Sequence, residues 1–136
     1  MLVKEILDQD GEVIAHVYDT SVVDKTTFPT PAEFPLQFSV GVNAEGRVFK
    51  PHVHLPIERA IVGTSEFIYV FTGRMDVKFL DCDGKILDNA SLEPGMGMIQ
   101  IRGGHALSTI EGTRFFEIKQ GPYSGVTADK APVEPY

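Results

Sequence analysis

The chain has 136 residues, 43% hydrophobic and 23% charged, the size and composition of one ordinary globular domain, which excludes disordered and fibrous architectures. Lys and Arg number 12 against 19 Asp and Glu, a formal charge of −7. That balance opposes binding to phosphate backbones or anionic membranes, which reward clustered cations. A single cysteine, Cys82, excludes an intrachain disulfide and any zinc site built on several thiolates.

The first residues, Met1 to Asp8, turn acidic at once and offer no signal-peptide core. No stretch approaches the ~20 apolar residues of a membrane span. The expectation is a soluble cytoplasmic protein without nucleic-acid or membrane partners. Val3–Leu7 and Val13–Tyr18 flank Asp10-Gly11, which predicts a hairpin. Phe28–Pro35 carries three prolines and reads as an extended connection. Phe38–Val42 and Arg47–His54 flank the turn signal Asn43-Ala44-Glu45-Gly46, and Ile57–Val62 is the one short helix candidate. Further strands are predicted at Glu66–Thr72, Met75–Leu80, Met98–Ile101, Leu107–Ile110 and Phe115–Lys119, punctuated by glycine turns. Asn89-Ala90-Ser91 matches a glycosylation sequon by chance, given the cytoplasmic expectation. Residues 127–136 are expected to lie over the surface or to reach a neighbour. Short strands at this spacing point to an all-β sandwich or barrel.

Three of the four histidines sit in arranged positions. On a strand, side chains two apart share a face, so His52 and His54 would aim at one point. Two converging imidazoles are a common way to hold a divalent ion, and two surface histidines on one face are the bland alternative. Glu66 opens an apolar strand that stops at Gly73; a carboxylate there is costly unless paired or coordinated. His105 follows a strand and the turn Arg102-Gly103-Gly104.

These residues resemble the two motifs of the cupin superfamily over about residues 36–122. Gly46, five residues, His52-Val53-His54, and Glu66, six residues, Gly73 follow the first motif. Gly95, Gly103 and His105 follow the second loosely: Ile101 stands in place of its proline, Gly103 is one residue too close to His105, and Thr109 stands in place of its asparagine. Eleven residues, Leu55–Ser65, separate the histidine pair from Glu66, where the family has three or four. Counting from His54 makes Glu58 the acidic ligand, and counting back from Gly73 makes it Glu66. Glu66 is preferred, because insertions fall in loops rather than strands.

The resemblance implies an all-β cupin double-stranded β-helix, a jelly-roll-type barrel, as a single domain over 1–136, with residues 1–35 and 123–136 packing on the core. It implies one divalent metal (Fe, Mn, Ni or Zn) held by His52, His54, Glu66 and His105. Glu58 and Glu117 are the candidate catalytic acids or bases; Arg59 and Arg102 are the candidate substrate contacts, Arg102 as an anion contact. Burial of Phe116 and Ile118 would turn Glu117 and Lys119 outward; turned inward, they would orient substrate or supply acid and base. Cys82 lies between Asp81 and Asp83, which oppose thiolate formation, and is read as inert. Lys119-Gln120-Gly121-Pro122-Tyr123 resembles small single-domain cupins associated with bacterial surface-sugar pathways. The implied function is an enzyme, a metal-dependent isomerase or dioxygenase, acting on a small oxygenated or sugar-linked molecule. A non-catalytic ligand-binding module and a metal-free sugar-nucleotide ketoisomerase are the alternatives. A homodimer is expected, since small cupins often cover sheet edges that way.

Overall fold

Asp8 shows how the chain's first reversal is built. Its Oδ1 accepts hydrogen bonds from the backbone N–H of Asp10 and of Glu12, each at 2.9 Å, and Gly11 adopts φ 81°, which a glycine reaches without strain. The bond from Glu12, helped by the Arg102 charge, holds the Asp8 carboxyl below its usual range. In the computed structural model, which describes residues 1–136, this turn joins β1 (Leu2–Leu7) to β2 (Val13–Asp19). The other strands are β3 (Glu66–Thr72), β4 (Met75–Leu80), β5 (Ile86–Leu92), β6 (Met96–Gln100), β7 (Gly104–Thr109) and β8 (Arg114–Lys119), followed by one helical turn, α1 (Val126–Asp129).

The strands form two antiparallel sheets, β1-β2-β6-β3-β8 and β5-β4-β7, and neither closes on itself. The protein is all-β apart from α1. Alternation along the strands gives the larger sheet two apolar faces. Ala15, Val17, Ile68, Val70 and Met98 meet Met75, Val77, Phe79 and Leu92 of the smaller sheet in the main core. Burying a side chain such as Phe79 fully contributes about 2–3 kcal/mol. The opposite face carries Tyr18, Phe67, Ile99, Tyr69 and Phe116, and the proline-bearing connection covers it with Phe34, Leu36 and Phe38. Phe38 stacks on Phe67 with ring centroids 4.5 Å apart.

One side of the sandwich is pinned. Lys4 on edge strand β1 donates to Asp88 Oδ1 at 2.6 Å and to the Asn89 carbonyl at 2.8 Å on edge strand β5. At the other side, the outer edges of β7 and β8 have no strand partner.

Several elements differ from the sequence reading. Phe38–Val42 is not a strand: Val40 makes one isolated bridge to Thr27, because Phe38 is drawn onto the outer aromatic cluster. Arg47–His54 is not a strand and Ile57–Val62 is not a helix; residues 47–62 are irregular and make no ladder. β5 escaped the sequence reading because Asp88, Asn89 and Ser91 are poor strand formers; its ladder to β4 overrides that preference. β2 lies between β1 and β6, so the N-terminal strands are integral to the larger sheet rather than laid on it. The tail crosses the surface and ends paired to the β4–β5 turn: the Tyr136 N–H donates to the Gly84 carbonyl at 3.2 Å, and its carbonyl accepts from Ile86 N at 2.8 Å. No helix is long and apolar enough to cross a membrane.

Candidate functional site

Register builds the site. Glu66, the first residue of β3, lies opposite Gln100 of β6 on one side and Lys119 of β8 on the other. It has the same strand parity as Ile68 and Val70, so this row faces the space between the sheets, where β7 of the smaller sheet brings in His105. The turn before β7 depends on Gly103, at φ 73°; a Cβ there would stand 2.5 Å from the Leu80 carbonyl oxygen.

The hydrogen bonds set the chemistry of His105. Gln100 Nε2 donates to the carbonyls of Arg102 and Gly104 at 3.0 and 2.9 Å, which leaves Gln100 Oε1 facing His105 Nδ1 at 2.8 Å. An amide oxygen only accepts, so Nδ1 carries the proton and Nε2 presents its lone pair. Nε2 points at Glu66 Oε2, 3.5 Å away, and that buried oxygen has no hydrogen-bond partner. Burial lowers the His105 pKa, and the charges of Lys130 and Lys119 act in the same direction, against the opposing pull of Glu66 and Glu117. The imidazole is therefore held neutral. Two acceptors face each other across a gap that a proton or a cation would bridge.

Lys119 Nζ lies 3.6 Å from Glu66 Oε1 and 3.0 Å from Glu117 Oε1, and its bond to Glu117 raises its pKa, so it stays charged. Glu117 and Lys119 thus turn inward, contrary to the sequence expectation. Phe116 finds its burial on the outer aromatic face, against Tyr69 at 5.6 Å between centroids, while Ile118 stays half exposed. Beside this row lies a cleft of about 530 Å³, with Glu66, Gln100, His105 and Lys119 on one wall and the tail on the other.

The remaining predicted site residues lie elsewhere. His52 and His54 are exposed in the irregular segment, edge to face with ring centroids 5.2 Å apart, and His52 Nδ1 is 3.1 Å from the Lys50 carbonyl. Residues 47–62 make no ladder, so they do not share a strand face with each other or converge with Glu66 and His105. No three His, Cys, Asp or Glu side chains gather as a metal-holding group. Of the implied donors, Glu66 and His105 face each other at 3.5 Å, and the histidine pair does not join them. Glu58 and Arg59 are exposed and do not line the cleft; Arg59 Nη1 donates to the Ile57 carbonyl at 3.4 Å. Arg102 is occupied by the first hairpin: Nε donates to the Val13 carbonyl at 2.9 Å, and Nη2 pairs with Asp8 at 3.3 Å and Glu12 at 3.6 Å. It clamps a turn and is not free for an anion. Cys82 is exposed in the β4–β5 turn.

Gln100 and Lys130 were missed in the sequence. Gln100 had a signal, a lone amide in the apolar run Met98–Ile101; Lys130 had none, being one of three tail charges. The fourth histidine, His16, is buried on the outer face with both ring nitrogens paired, to Glu5 Oε2 at 2.8 Å and Tyr18 Oη at 2.9 Å. It is a satisfied structural residue. Compared with known proteins, the chain matches no family model, no curated protein and no solved structure.

Proposed function

We propose that the chain is a metal-binding cupin that acts on a small oxygenated molecule, with Glu66 and His105 as two donors to one divalent ion. The observation that carries this reading is the unpartnered, buried Glu66 Oε2 facing the lone pair of a His105 whose tautomer Gln100 fixes. A carboxylate and a neutral imidazole, each oriented by neighbours, are the donor chemistry of Fe, Mn, Ni or Zn sites. His52 and His54 would supply the further donors, and reaching Glu66 and His105 would require residues 47–54 to order onto the site, for example along the free edge of β7. Val48, Val53, Leu55 and Val62 lie between 74% and 97% exposed in this segment, apolar surface that such docking would cover.

When bound, the metal would polarise a substrate oxygen or activate water or dioxygen. The chain's own residues do the rest. Gln100 orients His105, Lys119 holds a positive charge against Glu66, and Glu117 fixes that ammonium from 3.0 Å. The test is elemental analysis of tag-free protein before and after chelation. About one equivalent of metal, lost together with thermal stability on stripping, is the expected result. No metal as purified, and no stabilisation on adding metals back, would sink the reading.

A metal-free proton-transfer enzyme is the second reading, favoured by the neutral His105 in a cleft with Lys119. It predicts that activity survives chelation and is lost in His105→Ala. We also propose that two copies associate as a homodimer through an unpaired sheet edge.

A further inference from the structure

Resting on the reading of the Glu66–His105 cleft as a ligand site, we propose that its ligand carries a single carboxylate, and that Lys130 is the residue that binds it. Lys119 is committed: its one charge is shared between Glu66 at 3.6 Å and Glu117 at 3.0 Å. Arg102, the cation nearest in sequence to His105, is committed to Asp8, Glu12 and the Val13 carbonyl. Lys130 alone among the cations lining the cleft has no acidic partner within ion-pair distance, and its charge reaches His105.

Lys130 is held in place from both sides. Its N–H donates to the Val126 carbonyl at 2.9 Å, closing α1, and six residues later the chain is tied down again by Tyr136 on Gly84 and Ile86. Between these anchors, Val133 packs so closely on Gly84 that a Cβ at Gly84 would stand 3.2 Å from it. The ammonium is thus carried on a strap fixed at both ends, which lowers the entropic cost of presenting it to a ligand.

Charge and lining select the class of ligand. The uncommitted ammonium shares the cleft with the carboxylates of Glu66 and Asp129, which repel a dianionic phosphate more than a monoanion. Around Lys130, the tail's side of the cleft presents the apolar side chains of Val126, Ala131, Pro132 and Val133. A small molecule with a short apolar body and one carboxylate matches the tail's ammonium and its apolar neighbours, and the volume of about 530 Å³ lies in the range of small-molecule sites.

The test compares butyrate with butyramide, equal in shape and different in charge, by ¹H–¹⁵N NMR titration of the full chain, with inorganic phosphate as a third probe. Butyrate is expected to shift amides around 104–106 and 126–133, and to bind about 5-fold tighter than butyramide, the scale of one partly exposed ion pair. Lys130→Gln should remove that preference, and Lys130→Arg should keep it. Equal binding of the two probes to the wild type, a preference that persists in Lys130→Gln, or tighter binding of phosphate than of butyrate would each overturn the proposal. Metal content measured on the same samples separates the two readings. Metal without carboxylate preference defeats only the ligand class, and carboxylate preference without metal defeats only the metal centre.

Discussion

Gln100 illustrates how much of a site depends on a residue that does no chemistry. Its side chain spends both amide hydrogens on backbone carbonyls, so only its oxygen is left for His105. Replacing it by leucine keeps the volume and removes the acceptor that fixes the tautomer. Gln100→Leu is therefore expected to weaken metal binding by about 10- to 100-fold, the usual effect of losing a partner behind a ligand. His105→Ala and Glu66→Gln should lose the metal outright, and Glu58→Gln should retain it. Competition with a chelator of known affinity ranks the four; a Gln100→Leu variant as tight as wild type would mean that the imidazole needs no holding. Tyr18 offers a separate test, of the outer face. Burial, with the Glu5 charge second, raises its pKa from 10.0 to about 12. The folded form thus keeps a proton that the unfolded chain gives up. This contribution to stability is whole below about pH 10 and is lost as pH rises toward about 12. The urea midpoint should fall across that window, and Tyr18→Phe should flatten the fall; an unchanged slope would remove Tyr18 as its source.

Among the elements, the turns and the proline-rich connection were legible, and the irregular span 47–62 was not. Asp10-Gly11, Asp83-Gly84 and Glu111-Gly112 marked reversals because only a few residue types accept the backbone angles a tight turn needs. The strand opened by Glu66 was legible as well, since a carboxylate at the head of the apolar run Phe67–Phe71 demands a partner. Its partners were hidden. Gln100 and Lys119 lie far from Glu66 in sequence, and only sheet order, which no local pattern encodes, sets them on either side of it. The turn signal Asn43–Gly46 suggested a strand at Arg47–His54, but a turn does not supply a neighbouring edge to pair with. The turn before β7 gives a test at this scale. Gly103→Ala would place a Cβ against the Leu80 carbonyl at a backbone angle alanine disfavours, whereas Gly112 has the same sign of φ and open space around it. Gly103→Ala should cost at least 1–3 kcal/mol more than Gly112→Ala in urea unfolding, about the scale of backbone strain plus a steric clash. Equal costs would show that the Gly103-Gly104 turn gives way without disturbing β4.

At the scale of the whole molecule, the two sides of the sandwich are unequal. Lys4 ties β1 to β5 on one side, while on the other the edges of β7 and β8 are unpaired beside the Glu66–His105 row. The chain also holds an irregular segment, 47–62, with apolar side chains in solvent and two histidines among them. An unpaired edge and an uncovered apolar segment are each unfavourable alone, and pairing them removes both costs. If metal binding drives that pairing, the ion supplies the free energy that orders the segment, and site and barrel form together. Amide hydrogen exchange reads this directly. Adding the metal identified by elemental analysis should slow exchange in 47–54 and along β7, and leave β1 and β5 unchanged. In His52→Ala and His54→Ala the same metal should bind more weakly and the added protection should disappear. Protection confined to β7 and the residues flanking Glu66 would mean that a metal binds without the histidine pair. Sedimentation of the same samples tests the edges that remain. A dimer whose interface protects β1 or β8 would identify the edge it covers, and a monomer at all concentrations would refute self-association.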